Sequence, residues 1–484
     1  MSILVLDIGT TSMRGILYDH SGRKLAVHQV PNHPRFLPDG LVEESPDDWS
    51  GNTFKIFKAL LATREGAGLE AISITSQRSS ILPVDRDGKP LMNTIMWQDV
   101  RNQDICDRLS VHNAQLFPRT GSRVNTVFSG SKMSWVRENC PDLYPQVYKF
   151  VNIPEYVMFL MTDGYHSDHT YASRSGLMDL RTRQFDRQLL DLYGVEPDRL
   201  CMLHEPGAVV GRTSESFREA TGCPTGIPVI TAGGDQQCAA VGQGVLSAGD
   251  VSIVTGTGGF LIAACDTIPK DLTDNVICNC SALPGKYTIE ANVLACSAAF
   301  DWFAHEFYGM EKIDYAFTEA QLVSEGDVAD CMVLPYFKGR GAPDWNAGAK
   351  AVFADVTLAT RRSEMFKAMM ESIFMELQNH LRNFDAYFPV RRLYVSGGLT
   401  ASPALNQLQA DIYGREICVR TDPEATAKGA FLSALVSLGI YPDAESAFLA
   451  VTAEDAAIYT QDPGRSKKYE EKRLRMNALY ERLC

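Results

Sequence analysis

The chain is short of positive charge: 46 Lys and Arg stand against 59 Asp and Glu, a formal net charge of -13 over 484 residues. That balance excludes a general nucleic-acid or anionic-membrane surface, because either partner would be repelled over most of the molecule. A small anionic ligand is admitted only by a local pocket, and backbone amides can build one without lysines. No apolar run approaches the ~20 residues of a membrane span, and the opening MSILVLDIG has neither a basic n-region nor a small-residue cleavage site. The expected setting is the cytoplasm, with no membrane partner. The twelve cysteines are scattered. Cys278 and Cys280, the one close pair, lie a single residue apart rather than the two of a zinc or redox motif, so reduced thiols are expected. Neither a G-x-x-x-x-G-K-[ST] loop nor a G-x-G-x-x-G fingerprint occurs at a strand–helix junction, which disfavours P-loop and dinucleotide-binding folds.

What is present has the balance of an ordinary globular enzyme, 45% hydrophobic and 22% charged. The chain exceeds the ~250–300 residues at which one core stops growing, so two domains are expected. ILVLDIGTTSMRGILYD (residues 3–19) and VSIVTGTGGFLIAACD (251–266) share one plan: an apolar β-rich run, a Gly/Thr turn, a second apolar run. Two such hairpins half a chain apart predict a duplicated unit. Further strands are expected at AISITSQ, PVITAGG and RRLYVSGG, and a helix over 362–384. The class is α/β, with halves at 1–245 and 246–484 facing each other across a cleft and a hinge at 245–250. The tail beyond about residue 444 is charged and helical, its basic run interleaved with Glu and read as a solvated helix face.

Three turns are candidates for holding a nucleotide. In DIGTTS, Asp7 ends a strand, Gly9 permits close backbone approach, and Thr10 and Thr11 add hydroxyl donors. TGTGG repeats the arrangement with Thr255, Gly256, Thr257 and Gly258. A single copy is explained as well by side chains bonding their own backbone. A second copy favours a phosphate grip made of amides and hydroxyls. In YVSGGLTASPALNQLQADIYG, Gly397 and Gly398 end a strand before the helix that follows Ser402, which leaves room for a base or ribose. Asp7, with Asp235, is the candidate carboxylate for Mg²⁺, bound through water because that ion dehydrates reluctantly.

ITAGGDQQCAAVGQG (230–244) sets Asp235 and Gln236 among residues too small to shield them. Taken alone, Asp235 reads as the cap of a helix.

These pieces resemble, in order and over residues 3–434, the FGGY family of carbohydrate kinases within the actin-like ATPase superfamily. DIGTTS, GLVEESPDDW, SQR, WQDVR, SGSKMSWVREN, GGDQQ, TGTGG, PYFKGRGAP and the SGGLTASPALNQ run carry the resemblance. It implies two actin-like (ribonuclease H-like) domains closing on MgATP and a small sugar or polyol, with Asp235 at the position of the family's general base. By position it implies a sugar pocket at the floor of the first domain containing Gln77, Arg78, Trp97, Asp99, Arg101, Gln236 and Phe260. Trp97 reads equally as core filler or as a ring against the C–H face of a sugar. Arg78, following an apolar β-run, needs a partner such as ligand hydroxyls.

Departures from the family pattern bear on substrate. Glycerol kinases carry an acid after QR and a tyrosine before FSG, where this chain has Ser79 and Val127; xylulokinases carry QMHG and GGDN, where it has QRSS and GGDQ. The expected activity is ATP-dependent phosphorylation of a ketose such as xylulose, or a related sugar or sugar acid. A glycerol kinase-like polyol kinase and a non-enzymatic actin-like assembly protein or sensor are the alternatives, and a homodimer is compatible with either.

Overall fold

SILVLDI forms the strand Ser2–Ile8 with all seven residues buried, the continuous apolar run of a strand covered on both faces. In the computed structural model, which describes all residues except 312–313, 326, 421, 423, 453–455 and 484, this strand sits inside a six-stranded sheet. Reading outward from Lys24–Pro31, the sheet runs through Ser12–Tyr18, Ser2–Ile8, Leu69–Ser76 and Pro228–Gly234 to Val209–Arg212. The successive pairings are antiparallel, antiparallel, parallel, parallel and antiparallel.

The second large sheet repeats that series. From Tyr287–Val293 it runs through Gly259–Cys265, Asp250–Thr255, Arg392–Gly397 and Ile417–Val419 to Ala457–Tyr459, with the same five orientations in the same order. One further strand, Ile277–Cys280, extends its other edge. The architecture is thus a mixed α/β fold of two like domains, and the two sequence hairpins occupy equivalent places in it. Pairing of Ile8 with Met13 leaves residues 9–12 as the first turn, and pairing of Thr255 with Gly259 leaves 256–258 as the second.

Each half covers the other's sheet. Helix Ala425–Ser437 belongs to the second half by sequence, yet its Phe431 and Leu435 pack with Ile3, Val5 and Ile230 of the first sheet. The Ser73 hydroxyl donates to the Ala430 carbonyl at 2.7 Å. Helix Asp235–Gln243 reaches the opposite way, placing Ala240 among Ile262, Ala264 and Tyr394. The two helices touch backbone to backbone: a Cβ on Gly242 would stand 1.9 Å from the Ala425 oxygen, and one on Gly429 1.9 Å from the Cys238 oxygen. Only glycine allows that approach.

Two expectations need correction. The segment 245–250 is no free hinge: Val245 and Leu246 are buried, the N–H groups of Leu246 and Ser247 donate to Asp250 Oδ2, and Asp250 is paired to Arg392 at 2.7 Å. The C-terminal helix Pro463–Leu483 is not simply a solvated face either, because Lys472 is buried and donates to Glu371 at 2.6 Å and to the Ala329 carbonyl. The helix foreseen over 362–384 runs Arg362–Tyr387, buried along most of its length. The described cysteines are all free, and among the described residues no helix is long and apolar enough to cross a membrane.

Candidate active site

Strand Pro228–Gly234 ends in two glycines, and Asp235 is the first residue of the helix that follows, with Gly234 in the cap position. A Cβ on Gly234 would lie 2.5 Å from Arg78 Cδ, so the glycine lets the arginine stem cross beneath the acid. Asp235 Oδ1 accepts from the N–H of the next residue, Gln236, at 2.7 Å, and Arg78 Nε approaches the same oxygen at 3.8 Å. The carboxylate faces a cavity of about 560 Å³. Burial pushes its pKa up to about 6; Arg78 and the Gln236 N–H pull against that, and the nearby charge of Asp7 adds to it. Such a group is ionised at neutral pH yet basic enough to accept a proton.

The cavity lies between the halves rather than on the floor of the first. Trp97, Gln77 and Gln236 face it from one side, Phe260, Glu290 and Trp345 from the other. Trp97 is part-exposed and its indole N–H donates to Thr10 Oγ1 at 3.2 Å, so it is a wall of the cavity and not core filler. Phe260, 41% exposed, projects from the second sheet. Gln77 spends both ends of its amide on scaffolding: Nε2 donates to the Gly9 carbonyl at 3.2 Å and Oε1 accepts from Ser80 at 3.1 Å.

Four residues expected at the ligand are engaged elsewhere. Asp99 is fully buried and takes hydrogen bonds from the Val42 N–H and from Arg101 Nε and Nη2. Arg101 also pairs with Glu43 at 2.7 Å and lies over the Trp135 ring. Two residues apart, the pair folds back on itself and forms a closed ionic cluster off the cavity. Thr255 is buried and donates its hydroxyl to the Ser396 carbonyl at 3.0 Å, tying the two central strands together. Ser402, also buried, accepts from the Leu405 N–H as the cap of helix Pro403–Tyr413. Gly397 is exposed at a strand end, but its glycine is demanded by the neighbouring strand: φ is +105 and a Cβ would meet the Thr255 oxygen at 2.5 Å. Gly398 is exposed beside it.

Both Gly/Thr turns keep amides free. Gly9 N–H donates to Ser12 O and Gly256 N–H to Gly258 O, each at 3.0 Å, while the N–H groups of Thr10, Thr11, Thr257 and Gly258 find no acceptor among the described residues. Asp7 stands behind the first turn. Burial raises its pKa against the pull of Arg14, whose Nη2 donates to Asp7 Oδ2 at 2.8 Å while Nη1 reaches Glu424 of the second half at 2.9 Å. Among the described residues no group of three or more His, Cys, Asp or Glu could enclose a metal. One carboxylate with an uncommitted oxygen suits Mg²⁺, which keeps several waters and takes phosphate oxygens as ligands.

Sequence reasoning missed Arg14, Arg174 and Glu290. Glu290 Oε1 accepts from Gln237 at 3.0 Å and Asn279 at 2.8 Å and lies 3.4 Å from Arg78 Nη1. Burial alone would raise its pKa, but Arg78 and Arg174 outweigh that and hold it below the usual range. The available signal was a charged residue in an otherwise buried strand, YTIEANV, and likewise Arg14 in SMRGILY. Arg174 sits in an irregular segment and gave none.

Comparison with known proteins returns the "FGGY family of carbohydrate kinases", its N-terminal domain matching residues 2–242 and its C-terminal domain 251–438. A glycerol kinase of Thermococcus gammatolerans is 29% identical over 439 residues, covering 88% of this chain and 87% of that protein. Among solved structures, a xylulose kinase from Rhodospirillum rubrum superposes with a TM-score of 0.93 at 23% identity, covering 100% of this chain and 99% of the other. A Plasmodium falciparum glycerol kinase with ADP gives 0.90 at 24%, covering 99% and 98%.

Proposed function

The chain belongs to the FGGY family of carbohydrate kinases, ATP-dependent phosphotransferases, and from that premise we propose that Asp235 is the general base for phosphorylating a hydroxyl of a small sugar or sugar-like polyol held in the cavity. The observation that carries this reading is a carboxylate raised to about 6, open to the cavity, with one direct hydrogen-bond donor, the Gln236 N–H, among the described residues.

The substrate hydroxyl binds with its proton directed at Asp235 Oδ2. As its oxygen bonds to the γ-phosphorus, the bridging bond to ADP breaks and the proton passes to the carboxylate. Oδ1, fixed by the Gln236 N–H, keeps the acceptor oxygen oriented. The unpaired amides of Thr10, Thr11, Thr257 and Gly258 would receive phosphoryl oxygens from both sides, an arrangement that stabilises charge without reorganisation. Arg14, bridging Asp7 and Glu424, is positioned to add a cation there. Mg²⁺, held at Asp7 through water, would neutralise the polyphosphate. The nucleoside would lie against the exposed Gly397 and Gly398.

A ketose or a related sugar fits better than glycerol, because Ser79 and Val127 form cavity wall where a glycerol-binding acid and tyrosine are absent. Offering the purified protein MgATP with pentuloses, hexuloses, sugar acids, glycerol and longer polyols, with ADP release as the readout, tests the reading. Silence across the panel with ATP bound normally would sink it.

A further inference from the structure

Resting on the reading of Asp235 as the base, we infer that Thr170 is a positioning residue for it, holding the peptide from which the carboxylate is aimed. The carboxylate itself is held lightly. Among the described residues its one hydrogen-bond donor is the N–H of its own neighbour, Gln236, and Arg78 Nε at 3.8 Å is too far to be a second. Its direction is therefore set by the backbone leading into it, Gly233 and Gly234.

That backbone is irregular. The pairing of strand Pro228–Gly234 with Leu69–Ser76 shifts register between Thr231 and Gly233, and Gly233 sits at φ +114. Side chains take the polar groups at the bend. The Gly233 carbonyl accepts from Tyr171 Oη and from Thr75 Oγ1, each at 2.9 Å, and the Gly234 N–H donates to Thr170 Oγ1 at 2.8 Å. Thr170 also packs against the bend: a Cβ on Gly233 would stand 3.2 Å from its Cγ2.

Thr170 can accept because its own proton is committed. A hydroxyl has one proton, and Thr170 Oγ1 gives it to Asp168 Oδ1, which leaves lone pairs for the glycine N–H. Asp168 is fully buried and caps the short helix His169–Ala172. The Thr170 N–H donates to the same carboxylate oxygen at 2.8 Å, and the Thr231 hydroxyl donates to the other. The chain of bonds from Asp168 through Thr170 to Gly234 thus fixes the junction one residue before the base. Asp168, Thr170 and Tyr171 do not line the cavity, so they act on a substrate only through Asp235. A base misplaced by about 1 Å costs on the order of 10²-fold in rate.

Thr170→Val keeps the shape and removes the hydroxyl. With the full chain, MgATP and D-xylulose, or the fastest acceptor of the panel if xylulose is silent, kcat should fall on the order of 10²-fold while KM for ATP and acceptor stays close to wild type. Thr170→Ser should restore most of kcat. In an Asp235→Asn background, Thr170→Val should cost a few-fold at most, because a residue acting through Asp235 has little left to lose. A general loosening would slow both backgrounds alike. Should Thr170→Val fail to fold, Tyr171→Phe is read in the same way, with a roughly several-fold loss because Thr75 still holds the Gly233 oxygen. An unchanged kcat, a loss carried by KM, no rescue by serine, or equal losses in both backgrounds would each overturn the inference and leave Asp235 as the base. Near-wild-type turnover by Asp235→Asn, or silence across the panel, defeats the base or the kinase reading itself, and this inference with it.

Discussion

Asp235→Asn should do two opposite things to one protein, removing its activity and strengthening its fold. The folded carboxyl has a pKa of about 6, raised from the 3.8 of an ordinary aspartate. At ~1.36 kcal/mol per unit, holding the ionised carboxylate in the cavity costs about 3 kcal/mol. With 27% of the side chain open to the cavity, that figure is an upper bound. The sign follows from the raised folded pKa: below about pH 4 both folded and unfolded acids are protonated and there is no penalty. Between pH 4 and 6 the unfolded acid loses its proton first, so the penalty grows, and above pH 6 it is complete. The amide mimics the protonated acid. D235N should therefore unfold at higher urea than wild type at pH 8, with the gap closing as pH falls toward 4, in ligand-free protein. Sugar phosphorylation should drop by ~10²–10⁴ with ATP binding intact, the usual worth of a general base. A D235N protein less stable than wild type at pH 8, or a gain that ignores pH, would refute the reading of Asp235 as a carboxylate kept under electrostatic strain.

In the wild-type enzyme, kcat/KM should rise along an acid limb with an apparent pKa of about 6, traced by ADP release in constant-ionic-strength buffers. Gly429→Ala should destabilise the fold by about 2 kcal/mol or more, because the Cys238 carbonyl leaves no room for a methyl. By contrast, Gly51→Ala, within helix Pro46–Leu61 and with nothing within 4 Å of the added carbon, should raise stability by ~0.5–1 kcal/mol in the same urea titration. Ser402→Ala should cost ~1 kcal/mol as a lost helix cap and leave the KM for ATP close to wild type, where a nucleotide ligand would raise it several-fold.

What could be read in the sequence was what is local in it. The two Gly/Thr hairpins, the Gly-Gly-Asp junction and the duplicated plan depend on spacings of a few residues, and the fold realises them where the sequence puts them. Asp99, Arg101, Thr255 and Ser402 were misplaced for one reason: the side chains that bind sugars and phosphates are the same ones that cap helices and pair with near neighbours, and spacing does not tell the uses apart. Glu290 and Arg174 were invisible for the converse reason. Glu290 meets Arg78 across 212 residues of chain, and only the assembled cavity makes either one a ligand candidate.

The glycine contact between helices Asp235–Gln243 and Ala425–Ser437 also decides where stiffness lies. Asp235 stands seven residues, roughly 10 Å, from Gly242 along one rigid rod. Its outer end is locked by a backbone contact that excludes even one methyl, so the base at the inner end is tied through its own helix to a helix of the other half.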